Sequence, residues 1–286
     1  MSLRRAPRVL SPAAVNQSAL DRLLARHAVT GVFVAAHVAR IRAARGRRQP
    51  PVIGVVDSSG ELVGACWAGT NVVPVVLDQT GTDLVADVLA RGGPRFASFF
   101  GPADPVLGLW ERLRDTWPEP FDVRPVQPLL VMDRDPAPEL FTGPARAVRW
   151  AQDEDFPRVL PAAAAMFTEE VGYSPFTTGA EGYRQRVRSL VRDRRTAVLT
   201  DEHGTVIFKA DIGSLHGSVC QIQGVWVDPE YRGRGLAVPC MAATVALARQ
   251  YVPTVSLYVN SFNAPALATY RRVGFRRHGD FATVLL

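Results

Sequence analysis

The chain has 286 residues, 47% hydrophobic and 21% charged, with 22 prolines and a net charge of +6. That length suits two domains of similar size, each able to bury a core, and the composition excludes a disordered or fibrous chain. No apolar run reaches the ~18 residues of a membrane span, and the basic start MSLRRAPRVLSPAAV lacks a signal-peptide core, so a cytoplasmic protein is expected.

In the first half, Ser11-Pro12 starts two helical segments, ALDRLLARHA and GVFVAAHVARIRA. The arginines that follow (Arg40, Arg42, Arg45, Arg47, Arg48) carry no interleaved aromatic residues, so they read as a solvated helix end and nucleic acid is not expected as a partner. VIGVV, DSSG and ELVGACWAG spell strand, turn and strand. After an apolar stretch come a helix (TDLVADVLA), a strand (RFASFF), a helix (DPVLGLWERLRDTW) and a closing strand (FDVRPVQPLLVM). The proline-rich DRDPAPELFTGPAR then reads as a linker.

The second half repeats that order. ARAVRW is strand-like, Asp153 to Val171 is helical, and Tyr183, Val187, Leu190 and Val191 form an apolar stripe opposite arginines. The next hairpin turns at Asp201-x-x-Gly204, 144 residues after Asp57-x-x-Gly60 (204 − 60), while Pro265 and Tyr270 fall 160 residues after Pro105 and Trp110 (265 − 105). The halves therefore read as two copies of one α/β unit, the second carrying roughly 16 additional residues between these landmarks. The three cysteines, Cys66, Cys220 and Cys240, sit in apolar sequence with no disulfide or metal spacing, and the five histidines form no ligand pair, so no metal is expected.

The chemistry concentrates at VWVDPEYRGRGLAVPCMAA, Val225 to Ala243. A strand stops at Asp228-Pro229, Arg232, Gly233, Arg234 and Gly235 follow, and a helix begins near Gly235 or Leu236 with Pro239 in its first turn. The first N–H groups of a helix have no partner within it and its dipole attracts anions, so this junction suits a phosphate, with the arginines adding charge. Neither a Walker loop nor a dinucleotide fingerprint fits: no Gly-Lys-Ser/Thr follows and the third glycine is absent. The first half offers TNVVPVVLDQTGTDLVADVLA at the corresponding place, without a basic residue or a Gly-x-Gly.

Arg232-x-x-Gly235-x-Ala237 resembles the pyrophosphate loop of the GNAT superfamily of acyl-CoA-dependent N-acyltransferases. SLYVNSFNAPALATYRRVGF is similar to that family's second segment: a strand to Asn260, Asn263 placed to cap a helix, Pro265 in its first turn, Tyr270 within it, then Gly274-Phe275. The resemblance implies an α/β fold of two GNAT-like units, each a mixed, mostly antiparallel sheet flanked by helices. Residues 1–132 would be a degenerate N-terminal unit, 133–144 a linker, and 145–286 the acetyl-CoA-binding catalytic unit of a tandem member found in bacteria.

It also implies roles. QIQGVWV would open away from the strand ending at Asn260, leaving the backbone of Val225, Trp226 and Val227 for the pantetheine arm of acetyl-CoA, with Gly224 marking a bulge. Arg232, Gly233, Arg234, Gly235, Leu236 and Ala237 would hold the diphosphate, with Asn260 and Asn263 nearby. A backbone N–H near Val227 would polarise the carbonyl, Tyr270 would protonate the leaving thiolate, and Glu169 or Glu170 would attract or deprotonate the ammonium. Lys209 and Asp211 share one side of a strand, as a mutual ion pair or as acceptor contacts. A primary amine is the expected acceptor, on a small molecule or a protein N-terminus. A non-catalytic acyl-CoA sensor is the alternative.

Overall fold

The computed structural model describes residues 6–44, 49–177 and 179–286; Arg45, Arg47 and Arg48 of the arginine cluster lie outside them. The first half runs β1 (Arg8–Leu10), α1 (Gln17–Arg26), α2 (Ala28–Ala43), β2 (Val52–Val56), β3 (Leu62–Ala68), β4 (Asn71–Val76), α3 (Gln79–Gly92), β5 (Ser98–Pro102), α4 (Ala103–Leu113) and β6 (Asp122–Met132). The second runs β7 (Arg149–Trp150), α5 (Phe156–Val171), α6 (Ala180–Arg192), β8 (Thr196–Thr200), β9 (Val206–His216), β10 (Val219–Val227), α7 (Ala237–Arg249), β11 (Thr254–Tyr258), α8 (Ala264–Val273) and β12 (Arg276–Leu285). The two successions of helix and strand are identical.

The hairpin turns show why the repeat is visible in sequence. Asp57 Oδ1 accepts the backbone N–H groups of Ser59 and Glu61 at 2.8 and 3.0 Å, and Asp201 Oδ1 accepts those of His203 and Thr205 at 3.0 and 2.8 Å. Gly60 and Gly204 follow with φ of +91° and +80°, a conformation that glycine adopts without penalty. One carboxylate and one glycine thus close each hairpin in the same way.

The chain folds into two compact units that are not contiguous in sequence: residues 1–129 with Tyr258–Phe262 and His278–Leu286, and Leu130–Leu257 with Asn263–Arg277. This departs from the expected division at 133–144. The sheet of the first unit has the order β1-β2-β3-β4-β5-β12-β6. Phe281–Leu285 of β12, which ends the chain, pair antiparallel with Ser98–Pro102 of β5, and Ala282 and Val284 enter the core formed by Phe99, Val106, Leu109 and Trp117. Segment 133–144, expected as a linker, is tied into the second unit by Asp133 on Arg276 (2.5 Å) and Asp135 on Arg249 (2.6 Å).

The second unit's sheet has the order β11-β10-β9-β8-β7, antiparallel except for the β10–β11 pair. Helices α5 and α6 pack through Val159, Ala162, Ala163, Val187 and Val191 onto Val198, Val206 and Trp226. Helix α7 buries Cys240, Met241, Val245 and Ala248. The three cysteines are buried and unpaired, and burial pushes each thiol up to about 12, which leaves them inert core side chains. No helix among the described residues is long and apolar enough to cross a membrane.

The entry to α5 is fixed by a short 3-10 turn, Asp153–Asp155, closed by a capping box. Asp155 accepts the Gln152 backbone N–H at 2.8 Å and a two-pronged contact from Arg149 at 2.5 and 2.9 Å. The Arg149 guanidinium holds the Asp155 carboxyl below its ordinary 3.8. Because the folded value is depressed, this stabilisation is complete above 3.8 and is lost as pH falls through the folded value. Asp155→Asn should therefore cost about 1–2 kcal/mol at neutral pH, allowing for the half-exposed arginine. In urea melts the gap between variant and wild type should close in acid.

Candidate active site at the head of α7

Strand β10 pairs with β11 only over Val219–Gln221, opposite Thr254–Ser256, and then runs on to Val227. Parallel strands that part leave a slot whose wall is backbone. On its other side β10 pairs with β9, where the register slips between Gln223 and Trp226. Gly224 lies in that bulge at φ +59°. A Cβ there would sit 3.0 Å from both Asp211 Oδ2 and Met166 Cε, so glycine is required by conformation and by space.

A nine-residue connection, 228–236, leads from β10 to α7. Asp228 caps its 3-10 turn through the Glu230 N–H at 2.9 Å, and Tyr231 donates to Asp201 Oδ2 at 3.1 Å. Gly233 and Gly235 have φ of +75° and +76°, with open space where a Cβ would project. Their backbone angles, rather than crowding, call for glycine. The residue preceding α7 is Leu236, whose side chain accepts nothing, so no N-cap side chain answers the first N–H groups of the helix. Arg234 lies over the Tyr231 ring at 4.9 Å.

The corresponding place in the first unit is closed. Strand β4 and α3 are joined by two residues, and the second, Asp78, accepts the Gly81 N–H at 2.7 Å and caps α3 with its own carboxylate. Pro74 lies within β4, and a Cβ on Gly101 of β5 would lie 3.1 Å from the Pro74 carbonyl, so the two strands stay close. The head of α3 thus carries a side-chain cap where that of its counterpart α7 carries none. Most of the additional residues of the second copy lie in its longer β9 and β10 and in the 228–236 connection.

Around the slot the second unit gathers most of the side chains expected from sequence. Glu169, near the end of α5, accepts Trp226 Nε1 at 3.0 Å on Oε1 and Arg232 at 2.7 Å on Oε2. Arg232 also donates from Nε to the Val227 carbonyl at 2.9 Å. One carboxylate therefore ties the loop to both the strand and α5. Asn263 caps α8 by accepting the Ala266 N–H at 3.1 Å, and that helix carries Tyr270, which is buried and edge-on to Phe275 at 5.8 Å. Burial first, and the charge of Glu170 second, raise the Tyr270 phenol well above its ordinary 10. It remains a proton donor throughout the neutral and mildly alkaline range.

Asn260 is elsewhere. It belongs to the first unit, where it accepts from Gln127 Nε2 at 2.8 Å, while Gln127 Oε1 accepts from Thr283 at 2.6 Å. Three residues near the slot escaped the sequence reading or were left open by it. Tyr183, read only as part of an apolar stripe, donates to the Ala163 carbonyl at 2.7 Å, and burial pushes its phenol up to about 12. Lys209 and Asp211 form the mutual ion pair, at 2.6 Å and buried. Among the described residues no cluster of His, Cys, Asp or Glu is arranged to hold a metal ion.

Residues 163–275, which span the slot, the loop and α8, match the Acetyltransferase (GNAT) family. The chain carries a GNAT acetyltransferase domain. Residues 51–159 match a domain of unknown function, DUF4081. Over 82 residues the chain is 39% identical to a mycothiol acetyltransferase of Nocardioides sp., covering 27% of this chain and 28% of that protein. Over 89 residues it is 36% identical to a mycothiol acetyltransferase of Kytococcus sedentarius, covering 31% and 28%. The alignments thus span less than a third of these relatives. The fold is similar to a GNAT-family acetyltransferase of Colwellia psychrerythraea (TM-score 0.58, 12% identity, 99% and 100% of the two chains). It is also similar to a tandem GNAT protein from the clavulanic acid biosynthesis pathway (TM-score 0.51, 16% identity, 97% of each).

The Glu169–Arg232 pair is half-exposed on both sides, at 44% and 48%. Such a pair fixes geometry more than it adds stability. A double-mutant cycle of Glu169→Gln and Arg232→Gln should give a coupling of only ~0.5 kcal/mol. In thermal melts that coupling should vanish in about 1 M salt.

Proposed function

We propose that the second unit transfers the acetyl group of acetyl-CoA directly to a primary amine. The observation that carries this reading is the uncapped head of α7, set by two positive-φ glycines at the mouth of a slot between parted parallel strands. The diphosphate of the co-substrate would take the N–H groups of Gly233 through Ala237, with Arg232 and Arg234 supplying charge. The pantetheine arm would pair as a strand along Val225, Trp226 and Val227.

Transfer then needs four events. The amine attacks the thioester carbonyl, the oxygen gathers negative charge on a backbone N–H, the C–S bond breaks, and the thiolate takes a proton from Tyr270 while the nitrogen sheds its extra proton, which restores the phenol. The ammonium must first lose a proton. Glu170, whose charge already acts on Tyr270, suits that task better than Glu169, which Arg232 and Trp226 engage. The acceptor is an amine on a small molecule or a protein N-terminus; the curated relatives, named mycothiol acetyltransferases, favour the small molecule. The first unit, with its helix head capped by Asp78, serves as a non-binding partner, and the protein acts in the cytoplasm.

Gly235→Val, forced into a backbone region that β-branched residues avoid, should weaken CoA binding at least ~10-fold by calorimetry. Tyr270→Phe should leave that affinity within about twofold while lowering kcat ~100-fold with an amine acceptor, the loss expected for removing a general acid. Tight CoA binding without turnover on any amine would support a sensor instead. Because the phenol value is raised, Tyr270 stays protonated as pH climbs past its ordinary 10, so it should not set the alkaline limb of the rate below that point.

A further inference from the structure

Lys209 is the chain's single lysine, and its side chain has no exposed surface. Its Nζ donates to Asp211 Oδ2 at 2.6 Å and to the Gly224 carbonyl at 3.0 Å. Asp211 is in turn held by Thr196 Oγ1 at 2.8 Å. A Cβ placed on Gly224 would be 3.0 Å from the carboxylate and 3.1 Å from the ammonium, so the pair lies directly against the bulge. Burying two charges costs most of what their attraction returns, and apolar residues of similar size would stabilise the sheet as well. The pair is better explained by what it holds in place.

What it holds is one peptide group. The Gly224–Val225 bond is trans, so its carbonyl and its N–H point in opposite directions. With the carbonyl fixed on the ammonium, the Val225 N–H is aimed away from the ion pair. A carbonyl that accepts a charge-assisted hydrogen bond also polarises its own peptide and makes the attached N–H a stronger donor. Val225 lies beyond the last β10–β11 pairing, on the strand that lines the slot.

We propose that Lys209 is a positioning residue: it orients and polarises the Gly224–Val225 peptide so that the Val225 N–H donates to the thioester carbonyl oxygen of acetyl-CoA. This rests on the acetyl-CoA reading above and moves the polarising donor from the neighbourhood of Val227 to Val225. As the C–N bond forms, the carbonyl oxygen takes up the electron pair against this N–H. When the C–S bond breaks, the pair returns, the thiolate leaves with the proton from Tyr270, and the nitrogen gives up its extra proton, which restores the phenol.

The test uses acetyl-CoA carrying 13C at the carbonyl, with CoA itself as the ligand that lacks the group. On wild-type protein the bound carbonyl resonance should move downfield of the free one, and the Val225 amide proton should move downfield with acetyl-CoA but not with CoA. Lys209→Met should return the carbonyl resonance toward its free position. It should also reduce the preference for acetyl-CoA over CoA about fivefold, the worth of one hydrogen bond, with CoA affinity unchanged. Lys209→Arg, which keeps the charge, should retain the shift. An unshifted carbonyl or Val225 amide in wild type overturns the proposal whether or not the methionine variant folds. So does a methionine variant that keeps the shift, or one that weakens CoA and acetyl-CoA equally, as a purely structural role would. A wild-type protein that binds neither ligand would instead remove the acetyl-CoA reading on which the proposal stands.

Discussion

Two parallel strands that separate leave backbone N–H and C=O groups with no neighbouring strand to meet them, and the second unit is organised around that debt. After Gln221, β10 continues for six residues beyond its ladder with β11. Buried backbone groups left in this way are costly, so a parting of strands inside a sheet persists only where something else satisfies them. On the β9 side the answer is internal: the bulge at Gly224 turns one carbonyl onto Lys209. On the slot side, an extended ligand with amides of its own is the natural complement. The same strand leads through the 228–236 connection to the head of α7, where a second set of backbone donors lies without a side-chain cap. Between strand and helix head, the N–H groups of Asp228, Glu230, Tyr231 and Arg232 are met within the protein, so the two sets of donors stand apart.

The first unit shows what the same topology becomes when that debt is settled by the protein itself. Its fourth strand and third helix are joined by two residues instead of nine, and Asp78 puts a carboxylate on the N–H groups that a diphosphate would otherwise take. Pro74 removes a donor from the strand wall, and Gly101 lets the neighbouring strand close to its carbonyl. The two units therefore differ mainly in one connection and one strand edge, while the Asp-x-x-Gly hairpins and the order of elements stay the same. The Asp57 and Asp201 turns close their hairpins with the same backbone contacts, and so keep the likeness of the two units visible.

How much of this could be read from the chain follows from how local each interaction is. The turns, the α7 start, the Asn263 cap and the Gly224 bulge are written in residues one to four positions apart, and they stood out in sequence. Strand β4 read only as an apolar stretch because Pro74 argues against a central strand, although it is tolerated where the strand edge closes over it. The placement of β12 in the first unit's sheet depends on pairing between residues more than 170 positions apart, which no local pattern encodes. For the same reason Asn260, adjacent in sequence to the α8 cap, was grouped with the loop although its amide is engaged by Gln127. The Glu169–Arg232–Trp226 tie links residues about 60 apart and was likewise invisible, though the adjacent glutamates themselves marked the place.

That tie also separates the chemistry of two neighbouring carboxylates. Glu169 is compensated by a guanidinium and an indole N–H, so its negative charge holds the 228–236 loop against the strand. Glu170 acts instead on the buried phenol of Tyr270, adding to the burial that keeps the proton on the oxygen. In the proposed reaction, a phenol that holds its proton suits a group that must still donate when the C–S bond breaks. Without Arg232, the Glu169 carboxylate would add its own field to the site and favour an ammonium over the neutral amine. Arg232 thus serves both ends of the slot, lending charge to the loop at one and removing an excess of it at the other.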